Sequence, residues 1–144
     1  MNRELELARL VRFYETINPA TLTDELAANY AFDAHFKDPF NDVRGRVAIE
    51  RIFTHMFSQV GRPRFVVTTR VIQGSEAFLS WDFLFDMKRL GGGPQCIRGA
   101  THIRFDGEGA VVMHRDYWDA AEELYEKLPV LGRLMRFLKQ RLRA

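Results

Sequence analysis

The stretch His35-Phe36-Lys37-Asp38-Pro39-Phe40 sets one carboxylate between two phenylalanines and directly ahead of a proline. Proline biases the residue before it toward extended angles. Apolar neighbours disfavour a charged carboxylate and raise its affinity for a proton. A carboxylate tuned in that way is a candidate general base or acid. The same six residues also read as an Asp-Pro turn at the end of a strand, with Asp38 solvated. A phenol, Tyr14, lies on the apolar stripe of the first predicted helix, so its hydroxyl needs a partner or a wet cavity. A second acid, Asp116, shares its strand parity with His114 and Trp118. The histidines His35, His102 and His114 fall on different predicted strands without acidic ligand spacing, and no metal site is expected.

These residues need elements to carry them. Leu7, Leu10, Val11, Tyr14 and Ile17 recur at helical spacing, and Asn18-Pro19 ends that helix. A second short helix follows, with Thr21 as its cap and Asp24 and Glu25 in its first turn. Residues 29–36 read as a strand, and Asn41-Asp42 with Gly45 as a turn. A third helix carries Ile49, Ile52, Phe53, Met56, Phe57 and Val60 on one side, with Gly61 and Pro63 as its stop. Then come strands over 64–72, 77–87, 95–105 and 111–118. They are joined by Gly74-Ser75, by a glycine-rich connection over 91–94 and by the turn Asp106-Gly107-Glu108-Gly109. In the second of these strands Leu79, Trp81, Phe83 and Phe85 alternate with Ser80, Asp82, Leu84 and Asp86. That pattern turns the rings inward and Asp82 outward.

The chain has 144 residues, 47% hydrophobic and 28% charged, which suits one domain over 1–144 with one substantial core. Its 12 phenylalanines supply rings for a core or for the wall of an apolar cavity. A formal charge of +2 does not argue for nucleic acid. The single cysteine, Cys96, excludes an internal disulfide, suits a cytoplasmic location and reads as a strand residue rather than a nucleophile. The N-terminal residues show no signal-peptide core, and no run is long enough to span a membrane. The tail over 120–144 is helical with an interruption near Pro129. Its stripe of Val130, Leu131, Leu134, Phe137, Leu138 and Leu142 backs onto Arg133, Arg136, Lys139, Arg141 and Arg143. It either covers a pocket or a dimer partner or lies on an anionic membrane surface; packing on protein is the expectation. Helices followed by a meander of strands give an α+β class. A curved, mostly antiparallel sheet wrapped around the N-terminal helices would leave a cone suited to a ligand.

In order and residues the chain resembles the nuclear transport factor 2-like superfamily, in its SnoaL-like and ketosteroid-isomerase-like branch, from the first helix through Trp118. Phe13-Tyr14 looks like the site of the isomerase's oxyanion-hole tyrosine. Lys37-Asp38-Pro39 looks like its Glu-Asp-Pro, whose aspartate shuttles the proton. Thr101-His102-Ile103-Arg104-Phe105 looks like its Asp-His-Phe-Arg-Phe, with Thr101, a weaker donor, in place of the protonated aspartate. His114-Arg115-Asp116-Tyr117-Trp118-Asp119 is similar to the Trp-Arg-Asp-Tyr-Phe-Asp of limonene-epoxide hydrolase, which implies that Asp116, His114 and Trp118 point into the cavity. The hydrolase's second aspartate would correspond to Asp82, without its bridging arginine; Arg98 could replace that arginine if a bulge turned it inward. The hydrolase's water-holding Tyr-x-Asn would fall on Phe36-Lys37-Asp38 and differs. SnoaL-type polyketide cyclases resemble this chain in needing one cavity acid/base with donors for an enolate.

The resemblance implies a cone-shaped NTF2-like (cystatin-like) fold with an extra C-terminal helix. It also implies cofactor-free proton transfer on a small hydrophobic carbonyl compound. Asp38, Tyr14 and Asp116 are the expected catalytic residues. His114, Thr101, Trp118, Phe53, Phe57, Trp81 and Phe83 are the expected contacts to substrate. A homodimer through the open sheet face is expected, as in relatives of the fold. Epoxide hydrolysis or cyclisation centred on Asp116, and a non-catalytic ligand-binding or assembly module, are the alternatives.

Overall fold

The computed structural model describes residues 2–88, 92–123 and 129–143. It is an α+β domain. Three helices, α1 (Arg3–Glu15), α2 (Leu22–Asn29) and α3 (Arg46–Gln59), lie against a six-stranded sheet. Its strands are β1 (Tyr30–Lys37), β2 (Asp42–Arg44), β3 (Val60–Gln73), β4 (Glu76–Met87), β5 (Pro94–Phe105) and β6 (Val111–Tyr117), followed by helices α4 (Ala120–Glu123) and α5 (Pro129–Leu142). The order across the sheet is β2-β1-β6-β5-β4-β3. Every neighbouring pair is antiparallel except β1 and β6, which run parallel. Register shifts within β3 against β4, between Gly61 and Arg64 and again between Val67 and Thr69, bend the sheet around the helices.

Alternation along the strands decides what the helices cover. Ala77, Leu79, Trp81, Phe83 and Phe85 of β4 are buried, as are Ile97, Thr101, Ile103 and Phe105 of β5 and Val111 and His114 of β6. They meet Leu7, Leu10, Val11, Phe13 and Tyr14 of α1, and Ile49 and Phe53 of α3. The α1 stripe forms as its spacing predicts, capped by the Asn2 side chain, which accepts from the Leu5 amide. The helix stops at Glu15, so Ile17 packs on the core from the following loop.

Several local expectations are revised. Thr21 precedes α2 without a side-chain cap bond. Residues 42–44 pair with β1 as a short strand rather than a plain turn. Gly61 and Pro63 do not stop α3; it ends at Gln59 and runs directly into β3, where Arg62 takes a positive φ of 48° at the bulge. Gly91 of the 91–94 connection, together with 124–128 and 144 of the tail, lies outside the described residues.

Candidate active site

The site forms where α1 crosses the inner face of the sheet. Register sets its floor: Leu79 on β4, Thr101 on β5 and Asp116 on β6 are direct cross-strand neighbours. His114 lies two residues from Asp116 on the same face, opposite Phe36 of β1. Trp81 reaches this row because its cross-strand partner Gly99 has no side chain. A Cβ built at Gly99 would stand 2.5 Å from Cη2 of the indole. Tyr14 comes from the core stripe of α1, and Tyr30 is the first residue of β1, delivered at the end of α2.

Hydrogen bonds join these side chains into one chain. The Trp81 indole N–H donates to Thr101 Oγ1 at 2.7 Å. Thr101 donates to Asp116 Oδ1 at 2.6 Å. His114 Nε2 lies 2.7 Å from the same carboxylate oxygen. On the far side of the imidazole, Nδ1 is 2.7 Å from the Tyr30 hydroxyl and 3.1 Å from that of Tyr14, and the two hydroxyls are 2.5 Å apart. An indole nitrogen only donates and an ionised carboxylate only accepts. With Asp116 ionised, the proton of His114 therefore sits on Nε2 and points at Asp116. Nδ1 then accepts from Tyr30, and Tyr14 donates to Tyr30. If the imidazole gains a second proton the sequence reverses. Nδ1 then donates to Tyr30, Tyr30 to Tyr14, and the Tyr14 proton is left for the cavity.

Burial fixes the character of the two phenols. Desolvation, followed by the neighbouring phenol and the Asp116 charge, raises the Tyr14 pKa well above the usual phenol value. Desolvation raises that of Tyr30 too, against a smaller lowering effect of the bond from Tyr14. Both stay neutral through the physiological range and act as hydrogen-bonding hydroxyls rather than phenolates. His114 is nearly inaccessible, with its ring 4.5 Å from that of Phe36, whereas the Asp116 side chain keeps 19% exposure.

A part-open cavity of about 20 Å³ lies over this row, lined by Tyr14, Phe53, Phe65, Val67, Trp81, Thr101, His114 and Asp116. That volume holds one or two waters. It is smaller than the cone expected to admit a fused-ring ligand, because Phe65 stacks on Phe83 at 4.5 Å and fills the space with Trp81.

Of the residues singled out in the sequence, Tyr14, Asp116, His114, Thr101, Phe53 and Trp81 converge on this cavity. Asp38 does not. Its Oδ1 accepts from the backbone N–H of Phe40 (2.8 Å) and of Asn41 (2.7 Å) and from the Asn41 side chain (3.0 Å), and its own N–H donates to Asn41 O. This is an Asx turn just past the end of β1, and the apolar surroundings expected for Asp38 are absent because Phe40 is 53% exposed. Trp118, one residue beyond β6, packs on Phe40 rather than lining the cavity. Phe57 and Phe83 pack into the core outside the cavity lining. Asp82 pairs across strands with Arg98 on the opposite face, and Arg98 is turned to Glu122 and Glu123 of α4. His35 bonds Asp42, and His102 bonds Glu76.

Tyr30, Phe65 and Val67 were not anticipated. Tyr30 carries no periodic signal at the junction of a helix and a strand. Phe65 and Val67 were legible in principle, since their cross-strand partners are Phe83 and Trp81. Among the described residues no cluster of His, Cys, Asp and Glu is arranged to hold a metal ion, and no helix is long and apolar enough to cross a membrane.

The family model of the SnoaL-like domain matches residues 10–114, which includes most of the cavity. A search of curated proteins finds no significant match. Solved structures share the fold at low identity. A hypothetical protein with a ketosteroid isomerase-like fold from Catenulispora acidiphila DSM 44928, in complex with trimethylamine, has a TM-score of 0.70 at 17% identity, covering 83% of this chain and 88% of that one. An NTF2-like protein of unknown function from Burkholderia pseudomallei K96243 has a TM-score of 0.71 at 16% identity, with 85% and 95% covered. A presumptive SnoaL-like polyketide cyclase from Jannaschia sp. CCS1 has a TM-score of 0.72 at 14% identity, with 83% and 88% covered.

Proposed function

The chain belongs to the SnoaL-like domain family, and from that premise we propose an enzyme that transfers protons on a small, flat, apolar carbonyl compound, of the isomerase or cyclase type. Asp116 is its acid/base. The carboxylate takes a proton from the carbon next to the carbonyl, and the enolate oxygen that develops is met by the Tyr14 hydroxyl. His114 holds Asp116 through Nε2 and couples it to the phenols. Thr101, fixed by Trp81, supplies the second bond that keeps the carboxylate in place. In this reading Asp38 has a structural part, closing its turn.

The observation that carries the proposal is the unbroken run of hydrogen bonds from Trp81 to Tyr14, with a partly exposed carboxylate in its middle and an apolar cavity above it. The test is exchange of the α-hydrogens of β,γ-unsaturated ketones and aromatic β-diketones in D2O, followed by proton NMR. We expect exchange with wild type and with Asp38→Asn, and a loss of about 10²-fold or more in Asp116→Asn. Equal rates in wild type and Asp116→Asn would retire the proposal.

The cavity of about 20 Å³ favours a second reading, in which the network is a filled core and the protein binds a ligand or a partner without transforming it. Absence of exchange across the panel, with a ligand still shifting the Trp81 signal, selects that reading. A homodimer through the outer sheet face completes the proposal. It is supported by exposed Val71, Phe78 and Tyr117 on that face, and size-exclusion chromatography tests it.

A further inference from the structure

Helix α5 stands apart from the chemistry. Among the described residues, the contact it makes beyond slight ones is with the four-residue α4. Its large apolar side chains are left in solvent: Leu134 is 51% exposed, Phe137 51%, Leu138 43% and Leu142 84%. Within one chain these four side chains are not covered by protein. The side chains of Val130 and Leu131 lie outside the described residues.

At 3.6 residues per turn, these four positions share one side of the helix, and Arg133, Arg136, Lys139 and Arg143 share the opposite side. Among these cations Arg141 falls within the apolar arc, its guanidinium over the Phe137 ring at 5.1 Å from the centroid. A long terminal arginine in that place can lay its stem on the apolar side and lift its head toward water. Residues 129–143 contain no Asp or Glu, while the whole chain carries only +2. Positive charge without intervening acids is therefore concentrated on this helix, and Glu122 of α4 lines a shared hollow with Arg136, Lys139 and Arg143.

We propose that α5 docks the protein on an anionic membrane surface, lying flat with Leu134, Phe137, Leu138 and Leu142 turned into the lipid. A helix of 14 residues is about 21 Å long, too short to span a bilayer. An apolar arc backed by cations is the arrangement that lies in the interface, where apolar burial and attraction to anionic lipid add together. A second copy fits less well. Two α5 helices would bring like charges together. The outer sheet face offers Val71, Phe78 and Tyr117, but it carries Arg115 over Tyr117, and its Glu76 is already paired with Arg104, so neither place presents an unpaired acid to a basic helix.

The test uses the full chain in co-sedimentation with vesicles of phosphatidylcholine alone and with roughly one-third phosphatidylserine, at about 0.1 M salt. Wild type should bind the anionic vesicles at least about tenfold better than the neutral ones. Phe137→Ser/Leu138→Ser and Arg133→Gln/Arg143→Gln should each lower that binding by about tenfold or more. These side chains are exposed, so far-UV circular dichroism should be unchanged. Phe137→Trp should show a blue-shifted emission only on the anionic vesicles. The proposal is overturned if wild type does not prefer anionic vesicles. It is also overturned if Phe137→Ser/Leu138→Ser binds as wild type does, the mark of a polyanion held by charge alone, or if that variant converts a wild-type dimer to monomer, the mark of a second copy on the stripe.

Discussion

Replacing the two buried phenols singly and together tests the direction of the hydrogen-bond chain. In Tyr14→Phe the Tyr30 hydroxyl still donates to His114 Nδ1 at 2.7 Å, and only the bond between the two hydroxyls is lost. In Tyr30→Phe the Tyr14 hydroxyl, 3.1 Å from Nδ1, turns to replace it. Each substitution removes one net hydrogen bond without opening a large cavity, at a cost of about 1 kcal/mol. The double variant removes both bonds and leaves Nδ1 of a buried imidazole without a donor, which adds a desolvation penalty of about 1–3 kcal/mol. The pair should therefore lose about 3–5 kcal/mol against about 2 for the sum of the singles, a coupling of about 1–3 kcal/mol. Urea unfolding followed by tryptophan emission measures all four corners of the cycle, with a constant m-value as the check that only stability has changed. Additivity within about 0.5 kcal/mol would refute the reasoning. It would mean that Nδ1 does not depend on these hydroxyls, either because the imidazole holds the other tautomer or because water reaches it.

Other consequences follow from the same packing. Tyr14 and Tyr30 have raised pKa values in the fold against 10.0 when unfolded, so the stability they contribute is full below pH 10 and is lost as pH rises beyond it. Absorbance at the tyrosinate band should show them ionising only together with alkaline unfolding; reversible ionisation of both in a folded protein would contradict this. Gly99→Ala would place Cβ 2.5 and 2.6 Å from two ring carbons of Trp81. We expect a loss of about 1–3 kcal/mol and a shifted tryptophan emission in urea unfolding, and a neutral result would show that the indole has room to move. Hydrogen bonds from His102 and then Arg104 lower the pKa of Glu76 from 4.5. Its contribution is present above pH 4.5 and fades as pH falls, so Glu76→Gln should flatten the acid limb of Tm against pH, and an unchanged limb would count against the ion pair.

The sequence made the inner face of the sheet legible and left its borders obscure. Within strands, period-two alternation turned Trp81 inward and the family resemblance pointed to Thr101, His114 and Asp116; all four line the cavity, because a paired strand has no freedom to turn a side chain over. Just past the strand ends that rule lapses. Asp38 follows the last residue of β1 and Trp118 follows the last of β6; both keep the parity of cavity residues, and neither lines the cavity. Asp38 is captured by the amides of Phe40 and Asn41, the competition that short acidic side chains offer beside a turn. The α1 stripe likewise placed Tyr14 but gave no sign of its neighbour Tyr30, since a helix-to-strand junction has no period to read. Cavity size was the least legible quantity. It depends on how closely Phe65 stacks against its cross-strand partner Phe83, a distance that alternation, which gives only the face, does not supply.

Those limits bear on how one carboxylate could serve where two were expected. While Asp116 is ionised and His114 neutral, the carboxylate accepts from both Thr101 and His114, and the protons of Tyr30 and Tyr14 are drawn toward the imidazole. Tyr14 then has no proton to spare for a bound oxygen. With the imidazole already charged and Asp116 still a carboxylate, the bonds among His114, Tyr30 and Tyr14 run the other way and the Tyr14 hydroxyl is a donor into the cavity, the arrangement the proposed step requires. In the proposed reaction, base and oxyanion donor are thus not independent groups; they are two ends of one run of hydrogen bonds. A second carboxylate at Asp38 is unnecessary if the imidazole couples those ends, and it would be unfavourable here, because another negative charge beside Asp116 would oppose ionisation of both. His114 is buried, with Asp116 at one ring nitrogen and the two phenols at the other, and that placement is what would couple them in the proposed reaction.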